Sequence, residues 1–439
     1  MITIRPTHHP FRHELTVPGD KSVSHRSIMF SALAEGDTRV RGFLRSADCL
    51  STMACFRGMG VDIEETDGEL IVHGRGLHGL QAPADTLDAG NSGTTTRLMA
   101  GILAAQPFSS RLTGDASIQK RPMGRIIRPL TAMGADIRGE KEPELAPLLI
   151  KGSALHGIDW TSPVASAQVK SCILLAALCA GTEASVTEPT LSRDHTERML
   201  GAFGGKISTE QYADGSATAR ITPCDRLVSP GVIDVPGDIS SAAYFLCAAL
   251  MVPGAEILVR NVGINPTRAG ILEVLRRMGA VIEEENRTES GEPRADLRVR
   301  YRELAAPDRD ANGVLVIGGE IIPALIDELP MIAVLATQLP CRTVIRDAAE
   351  LRVKESDRIA VVTENLRRMG AGITATGDGF IIEGRAHLHG AEIDPHADHR
   401  IAMSFAVAAL AAEGETRIDG EECVSISYPE FWRELERLL

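Results

Sequence analysis

The sequence lacks the features that mark several large classes of protein. Aromatic residues make up only 4% of the 439 residues. Apolar runs end at a glycine or proline after about a dozen residues, which is too short to cross a bilayer. The eight cysteines include no CxxC pair, and several lie in apolar runs such as "SCILLAALCAG". The first residues, "MITIRPTHHPFRHEL", contain no apolar signal segment. We therefore expect a reduced, cytoplasmic protein with no metal site and no membrane association.

The chain also lacks an excess of positive charge, since 59 acidic residues against 46 Lys and Arg give a net charge of −13. Binding to nucleic-acid phosphates requires a basic face, so nucleic acid is not expected as a general partner. There is no GxxxxGK[ST] loop and no GxGxxG motif after a strand, so no nucleotide site is indicated. The average charge leaves room for a local basic pocket.

Six apolar helical runs recur along the chain, and each leads into a short segment with β propensity. Their first turns lie near residues 22, 92, 167, 239, 328 and 399. These runs are apolar on nearly all sides, which predicts buried helices. A more polar helix follows each run, and five of these end in a glycine followed by a new strand: "FRGMGVDI", "TAMGADI", "GAFGGKI", "RRMGAVI" and "RRMGAGI".

The tetrapeptide Val-Pro-Gly-Asp occurs at 17–20 and again at 235–238, so the chain restarts near its midpoint. Six repeats and one restart predict an α/β fold with two similar domains of three repeats each. We expect one domain at 18–236 and the other at 1–17 plus 237–439, with hinge-like crossings near 18–20 and 235–238 that allow closure on binding. A propeller or solenoid is the other reading of six repeats, but these units exceed a blade or a common solenoid repeat.

The buried helices begin at residues that cap free backbone amides, and capping alone is one explanation for Asp20, Asn91, Ser166 and Asp398. Capping does not account for the cations beside them. A positive charge in the first helical turn opposes the helix dipole by about 0.3–1 kcal/mol. The motifs "GDKSVSHR" and "ADHRIA" therefore suggest that positively charged helix ends bind an anion.

Further basic residues lie in the second helices, in "QKRPMGRIIRPL", "SRDHTERML" and "LRVKESDRIAVV". In the first of these, Pro122 suits the first helical position and would place Arg121, Arg125 and Arg128 on one face. Asp327 and Glu355 lie among the cations and are the candidate acid and base. A helix cap for Asp327 and an i,i+3 pair with Arg358 for Glu355 are the alternatives. The pattern predicts a small ligand, or ligands, with several phosphates or carboxylates.

Eight motifs in order resemble the 5-enolpyruvylshikimate-3-phosphate (EPSP) synthase family: "GDKSVSHR", "GNSGTTTR", "KRPMGR", "SAQVKS", "SRDHTER", "IDELP", "RVKESDRI" and "DHRIAMSF". The resemblance implies the enolpyruvyl transferase fold, an inside-out α/β barrel in which each domain has three βαβαββ units. It implies transfer of the carboxyvinyl group of phosphoenolpyruvate to the 5-hydroxyl of shikimate 3-phosphate. Phosphate leaves, the reaction proceeds through a tetrahedral intermediate, and no metal or cofactor takes part.

The resemblance also implies roles for individual residues, with Asp327, Glu355 and Lys21 catalytic. Glu355 is expected to protonate the vinyl methylene while Asp327 takes the hydroxyl proton. Shikimate 3-phosphate would be bound by Lys21, Ser22, Arg26, Ser166, Ala167, Gln168, Arg193, Asp327 and Lys354. Phosphoenolpyruvate would be bound by Lys21, Asn91, Gly93, Arg121, Gln168, Arg358 and Arg400.

Two departures from the family pattern stand out. Ala167 occupies a position at which some members have a serine, and no lysine follows Lys354 near the C-terminal "SYPEF". One alternative is the sister family, UDP-N-acetylglucosamine enolpyruvyl transferase, but Ser22 follows Lys21 where that family has asparagine. A non-catalytic anion-binding protein of the same fold is another alternative, and it would have no need to retain both candidate acids. No exposed apolar helix face calls for a partner chain, so a monomer is expected.

Overall fold

The computed structural model describes residues 1–7, 9–66, 68–289 and 291–439. Within it, the chain folds into two compact units. We call Gly19–Pro236 the N-terminal unit, and Met1–Pro18 together with Gly237–Leu439 the C-terminal unit. Each unit has its own hydrophobic core.

Among the described residues, six helices are buried along almost their whole length, three in each unit. The small and aliphatic side chains of these helices allow close packing on every side, and in the helix Ile239–Met251 every residue is buried. The helices begin where the apolar runs predict. They are α1 (Lys21–Leu33), α3 (Gly93–Ala104), α5 (Ala167–Ala180), α7 (Ile239–Met251), α9 (Leu329–Ala336) and α11 (His399–Leu410).

The second helix of each repeat has one exposed face. All five glycines predicted to end these helices have positive φ angles, from 81° at Gly204 to 103° at Gly279, where a side chain would be strained. That prediction is confirmed. The outer helices are α2 (Ala47–Gly58), α4 (Gly124–Ala132), α6 (His195–Ala202), α8 (Gly270–Arg277), α10 (Arg358–Arg368) and α12 (Phe431–Glu436). Short 3-10 helices lie at Ile118–Lys120, Gly319–Ala324, Ala349–Val353 and Glu421–Ile426.

In the part of the N-terminal unit that the structure describes, the strands form three four-stranded sheets and one two-stranded sheet. Their orders are β16-β4-β6-β5, β7-β8-β10-β9, β11-β12-β14-β13 and β15-β3. Their bounds are β3 (Ala34–Glu35), β4 (Asp37–Arg41), β5 (Asp62–Thr66), β6 (Glu69–His73), β7 (Leu87–Asp88), β8 (Ser109–Thr113), β9 (Asp136–Gly139), β10 (Leu148–Lys151), β11 (Ile158–Thr161), β12 (Ala184–Glu188), β13 (Lys206–Gln211), β14 (Ala217–Thr222), β15 (Leu227–Val228) and β16 (Val232–Asp234).

The C-terminal unit has sheets in the orders β18-β19-β17-β2, β20-β21-β23-β22 and β1-β25-β24. Each four-stranded sheet in both units has one parallel pair at one edge, followed by antiparallel pairs. The strand bounds are β1 (Ile2–Ile4), β2 (Arg12–Thr16), β17 (Glu256–Gly263), β18 (Ile282–Thr288), β19 (Arg294–Arg300), β20 (Leu315–Ile317), β21 (Thr343–Ile345), β22 (Ile373–Ala375), β23 (Phe380–Ile382), β24 (Glu392–Ile393) and β25 (Thr416–Ile418).

These elements confirm the predicted α/β class with buried helices. In the C-terminal unit, α7, α9 and α11 pack against one another, and in the N-terminal unit α3 packs against α1 and α5. Over the described residues, every helix is too short or too polar to serve as a bilayer-spanning segment.

Candidate active site

The first turn of α1 presents Lys21 beside a carboxylate. Asp20 caps the helix by accepting a hydrogen bond from the Val23 amide at 2.9 Å. Lys21 forms an ion pair with Asp48 of α2. The Lys21 side chain remains 36% exposed, so the ammonium group can also be reached from solvent. Lys21, whose charge opposes its own helix dipole, therefore has a carboxylate partner within the protein and remains partly exposed.

Arg26 lies one turn further along α1 and is 3% exposed. Its Nε donates to Thr196 Oγ1 at 2.7 Å and its Nη2 to Ser171 Oγ at 3.0 Å, which joins α1 to α6 and α5. Its Nη1 donates to the carbonyl oxygen of Ser22 at 3.1 Å. Arg26 thus ties the backbone of the first turn of α1 to α5 and α6.

At the start of α3, Asn91 and Arg121 contact each other. Arg121 Nη2 donates to Asn91 Oδ1 at 2.9 Å, and Asn91 Nδ2 donates to Asp115 Oδ2 at 2.6 Å. A Cβ atom placed on Gly93 would lie 2.7 Å from Arg97 Nη1 and 3.5 Å from Arg121 Nη1. Two guanidinium groups therefore lie against the backbone at this helix end, where only glycine fits without displacing one of them.

Arg97 belongs to this group, although the sequence patterns did not single it out. Its Nη1 donates to Gln168 Oε1 at 2.6 Å, and Gln168 Nε2 donates to Thr94 Oγ1 at 3.0 Å. Burial lowers the pKa of Arg97 to about 10, and Arg121 and Arg125 add to that shift. Among the residues that the structure describes, neither Arg97 nor Arg121 forms an ion pair with a carboxylate. Guanidinium groups that have no direct ion pair and lie beside a helix N-terminus form a favourable anion-binding site. "GNSGTTTR" already contained the signal, because Arg97 is a cation near a helix start.

The start of α5 contains Ser166, Ala167 and Gln168. Ser166 caps the helix through a long hydrogen bond of 3.4 Å from the Val169 amide to Ser166 Oγ. Its own amide donates to Glu188 Oε1 at 2.6 Å. Ala167 is the first helical residue, so its backbone amide is one of the unpaired donors at this end. Arg193 is partly buried and lies just before α6.

In the C-terminal unit, the predicted residues gather around Arg358, whose side chain is 1% exposed. Its Nε donates to Asp398 Oδ2 at 2.8 Å, and its Nη2 donates to Glu355 Oε2 at 2.6 Å. Asp327 Oδ1 lies 3.5 Å from Arg358 Nη1. Burial alone would lower the pKa of Arg358, but Asp398 and Glu355 outweigh it and raise that pKa.

Two further cations surround Asp327. Lys354 Nζ is 3.9 Å from Asp327 Oδ1 and pairs with Glu350 at 2.6 Å, and Arg400 Nη2 is 3.7 Å from Asp327 Oδ2. The Asp327 side chain is 15% exposed, so one carboxylate lies partly accessible among three cations. All five predicted residues of this unit, including Glu355, therefore lie in one cluster.

The charges around Glu355 determine its protonation state. Burial would raise the pKa of Glu355, but Arg358, His399 and Arg400 lower it to about 2. Burial and Arg400 lower the pKa of His399 to about 3. At neutral pH Glu355 is therefore ionised and His399 is neutral.

Three details differ from the sequence predictions. Ser92, rather than Asn91, caps α3, because the Thr95 amide donates to Ser92 Oγ at 3.0 Å. Asp327 was one candidate for a helix cap, but the N-cap position of α9 is occupied by Glu328. Helix α4 begins at Gly124, after a 3-10 turn, so Arg121 lies in the preceding loop and shares no helix face with Arg125.

Comparison with known proteins gives a consistent result. The family model described as EPSP synthase (3-phosphoshikimate 1-carboxyvinyltransferase) matches residues 7–435. A protein of that name from Synechococcus sp. (strain JA-3-3Ab) is 52% identical over 442 aligned residues, covering 100% of this chain and 97% of the relative. One from Brevibacillus brevis is 54% identical over 416 residues, covering 94% of each chain.

Solved structures agree with these relatives. The structure of EPSP synthase from Acinetobacter baumannii matches with a TM-score of 0.89 and 47% identity, and the match covers 99% of this chain and 97% of that one. This supports the two-domain enolpyruvyl transferase fold and favours the first reading over the UDP-sugar alternative. The chain belongs to the EPSP synthase family.

Proposed function

We infer that this chain catalyses the reaction after which its family is named, the transfer of the carboxyvinyl group of phosphoenolpyruvate to the 5-hydroxyl of shikimate 3-phosphate with release of phosphate. This step belongs to the shikimate pathway to chorismate and the aromatic amino acids. The observation that carries the inference is the family match over residues 7–435, together with about half of the residues identical to the relatives over nearly the full length.

We further propose how the residues divide between the two substrates. Arg97 and Arg121, which lack carboxylate partners among the described residues, bind phosphoenolpyruvate together with Asn91, Gly93 and Gln168. Charge-assisted bonds from a guanidinium to phosphate or carboxylate are among the strongest that a protein makes. Arg358, Arg400 and Lys21 complete this set, and each already contacts a carboxylate that a substrate anion would compete with or replace.

Shikimate 3-phosphate is assigned to the starts of α1 and α5. Ser166 Oγ keeps its proton available for donation, because in its cap it acts as the acceptor. The Ala167 amide can donate where some family members have a serine hydroxyl. The other residues that the family resemblance assigns to shikimate 3-phosphate contact the same substrate; they are Lys21, Ser22, Arg26, Gln168, Arg193, Asp327 and Lys354.

The chemistry requires one proton to be added to the vinyl methylene and one to be removed from the attacking hydroxyl. We assign the first to Glu355 and the second to Asp327, with the roles reversed when phosphate is eliminated. The pKa of Glu355, about 2 in the ligand-free protein, means that Glu355 must acquire a proton before donating it. Binding of anionic substrates would raise the pKa of Glu355, because they neutralise Arg358 and Arg400, which hold that pKa low.

The test is phosphate release measured with phosphoenolpyruvate and either shikimate 3-phosphate or UDP-N-acetylglucosamine. The expected result is turnover only with shikimate 3-phosphate, reduced sharply by Lys21→Met and by Arg121→Ala. Turnover only with the UDP-sugar, or with neither acceptor, contradicts the proposal. We also propose a cytoplasmic monomer, and a dimer mass in light scattering at micromolar concentration would refute the second part.

A further inference from the structure

A buried ion cluster lies behind the start of α5. Lys170 of α5 is 1% exposed, Glu188 at the end of β12 is 1% exposed, and Glu197 of α6 is 8% exposed. Lys170 Nζ is 3.1 Å from Glu188 Oε2 and 2.8 Å from Glu197 Oε1. Buried ion pairs often contribute no more stability than apolar side chains of the same size. Stability alone therefore does not account for this cluster.

Glu188 joins two segments of chain that are distant in sequence. Its Oε1 accepts the Ser166 amide hydrogen bond at 2.6 Å. Its two oxygens lie 2.9 and 2.7 Å from Ser192 Oγ, and its Oε2 accepts from the Ser192 amide at 3.3 Å. Lys170 Nζ donates to the carbonyl oxygen of Ser192 at 3.3 Å. One carboxylate and its counter-ion thus fix the residue that caps α5 and the residue before Arg193.

We propose that Glu188 and Lys170 are positioning residues for shikimate 3-phosphate, which hold Ser166 and the Ser192–Arg193 segment in the arrangement that binds the substrate. Both are too buried to contact a substrate themselves. The proposal rests on the proposed function, which assigns Ser166 and Arg193 to that substrate. It adds residues that make no contact with ligand but determine the affinity for one of the two substrates.

The protonation states favour this role. Burial alone would lower the pKa of Lys170, but Glu197 and Glu188 outweigh it and raise that pKa. Burial raises the pKa of Glu197, against the opposing effect of Lys170. The ammonium group therefore stays charged at neutral pH and remains available to Glu188 and to the carbonyl oxygen of Ser192.

The variant Glu188→Gln keeps the shape of the side chain and tests the arrangement. If its amide oxygen faces Ser166, its NH2 group faces the Ser192 amide and the Lys170 ammonium. If the amide is flipped, the NH2 group faces the Ser166 amide instead. One donor opposes another in either case, so one segment loses its anchor.

Calorimetric titration with shikimate 3-phosphate alone, combined with steady-state phosphate release, provides the readout. We expect Glu188→Gln to raise both the Kd and the KM for shikimate 3-phosphate by about tenfold or more, as for the loss of a hydrogen bond to a charged group. The kcat and the KM for phosphoenolpyruvate should change by less than about threefold, because the side chains assigned to phosphoenolpyruvate and to proton transfer make no contact with Glu188. A general loss of structure would instead reduce the active fraction and affect both substrates alike.

Two further variants keep the test decisive. Glu434→Gln is the matched control, because Glu434 is a 7% exposed carboxylate whose partners, His13, Arg433 and Arg437, are not assigned to substrate. It should leave every kinetic constant unchanged. Ser192→Ala removes one hydroxyl and keeps the ion cluster, so it should weaken only shikimate 3-phosphate, by a smaller factor, even if Glu188→Gln does not fold.

The outcomes separate the two proposals. Wild-type turnover together with unchanged shikimate 3-phosphate affinity in Ser192→Ala and in any folded Glu188→Gln would overturn the positioning role alone. Equal losses for both substrates would overturn it as well. Absence of wild-type turnover would overturn the proposed function, and the positioning role with it.

Discussion

Replacing Asp398 by asparagine removes one charge from the buried cluster of the C-terminal unit while keeping its shape. Asp398 is fully buried, and its oxygens accept from Arg358 Nε at 2.8 Å and Nη2 at 3.3 Å. Its Oδ1 also accepts from the Arg400 amide at 3.0 Å, which caps α11. An asparagine oxygen can preserve the cap, but the amide nitrogen then faces the guanidinium group.

The magnitude follows from burial. Removing one partner of a buried ion pair costs about 3–5 kcal/mol, because the other charge remains uncompensated. Glu355 and Asp327 remain 2.6 and 3.5 Å from Arg358 and compensate part of its charge. We therefore expect Asp398→Asn to lower the free energy of unfolding by about 3 kcal/mol, the lower end of that range.

Asp357 provides a matched control on the neighbouring helix. It caps α10 by accepting from the Ala360 amide at 3.1 Å, and it pairs with Arg352 at 2.8 Å. Both side chains are exposed, at 36% for Arg352 and 39% for Asp357. Exposed pairs contribute about 0.2–1 kcal/mol, so Asp357→Asn should cost less than about 1 kcal/mol.

Urea denaturation at pH 7 measures the difference if the signal reports on the C-terminal unit alone. Trp432 lies in that unit, on α12, and Trp160 lies in the N-terminal unit, on β11. Fluorescence in a Trp160→Phe background therefore follows the unit that contains Asp398. Equal losses for Asp398→Asn and Asp357→Asn, or a loss below about 1 kcal/mol for Asp398→Asn, would refute the reasoning that burial makes this pair essential.

Three other predictions concern separate features. Gly201 and Gly204 both have open space where a Cβ would lie, but only Gly204 has a positive φ. Gly201→Ala should stabilise the protein by about 0.5–1 kcal/mol, and Gly204→Ala should destabilise it by about 1–2 kcal/mol. Shifts of the melting temperature in the same direction for both variants would contradict this. His399 has a pKa of about 3 in the folded protein against an ordinary value of 6.5, so the unfolded chain takes up a proton more readily. The contribution of His399 to the free energy of unfolding is therefore complete above pH 6.5 and is lost as the pH falls below that value. His399→Gln should therefore flatten the decline in urea midpoint between pH 7 and pH 5, and an unchanged slope would exclude His399 as its source. Asp327→Asn should lower kcat by about 10²–10⁴ in protein that circular dichroism shows to be folded at the assay temperature, and near-full turnover would remove Asp327 from the mechanism.

The elements that the sequence predicts well are those whose determinants are local. The buried helices follow from runs that are apolar on nearly all sides, and Gly204 and Gly279 end their helices because the αL conformation favours glycine. The positive charge of the candidate site was also predictable, since Lys21 and Arg400 oppose their own helix dipoles. Each of these inferences uses residues within a few positions of one another.

Contacts between repeats were not predictable in the same way. Nothing near Gln168 in sequence indicates that it contacts Arg97, because that contact depends on how α3 packs against α5. Lys170 lies in an apolar run, and its carboxylate partners belong to other elements, Glu188 to β12 and Glu197 to α6. Ser92 rather than Asn91 caps α3, and Asn91 instead contacts Arg121, which lies in the loop before the next helix of the repeat.

The central claim is that this chain catalyses carboxyvinyl transfer from phosphoenolpyruvate to shikimate 3-phosphate and that charged residues of each unit are required for it. Its most direct test is to incubate the purified wild-type protein with shikimate 3-phosphate and phosphoenolpyruvate and to quantify, by mass spectrometry and phosphate assay, the carboxyvinyl ether and the phosphate formed. The account predicts equal amounts of the two products, with formation of both abolished or greatly slowed by Arg121→Ala in the N-terminal unit and by Asp327→Asn in the C-terminal unit. Phosphate without the ether, or undiminished product formation in either variant, would contradict it.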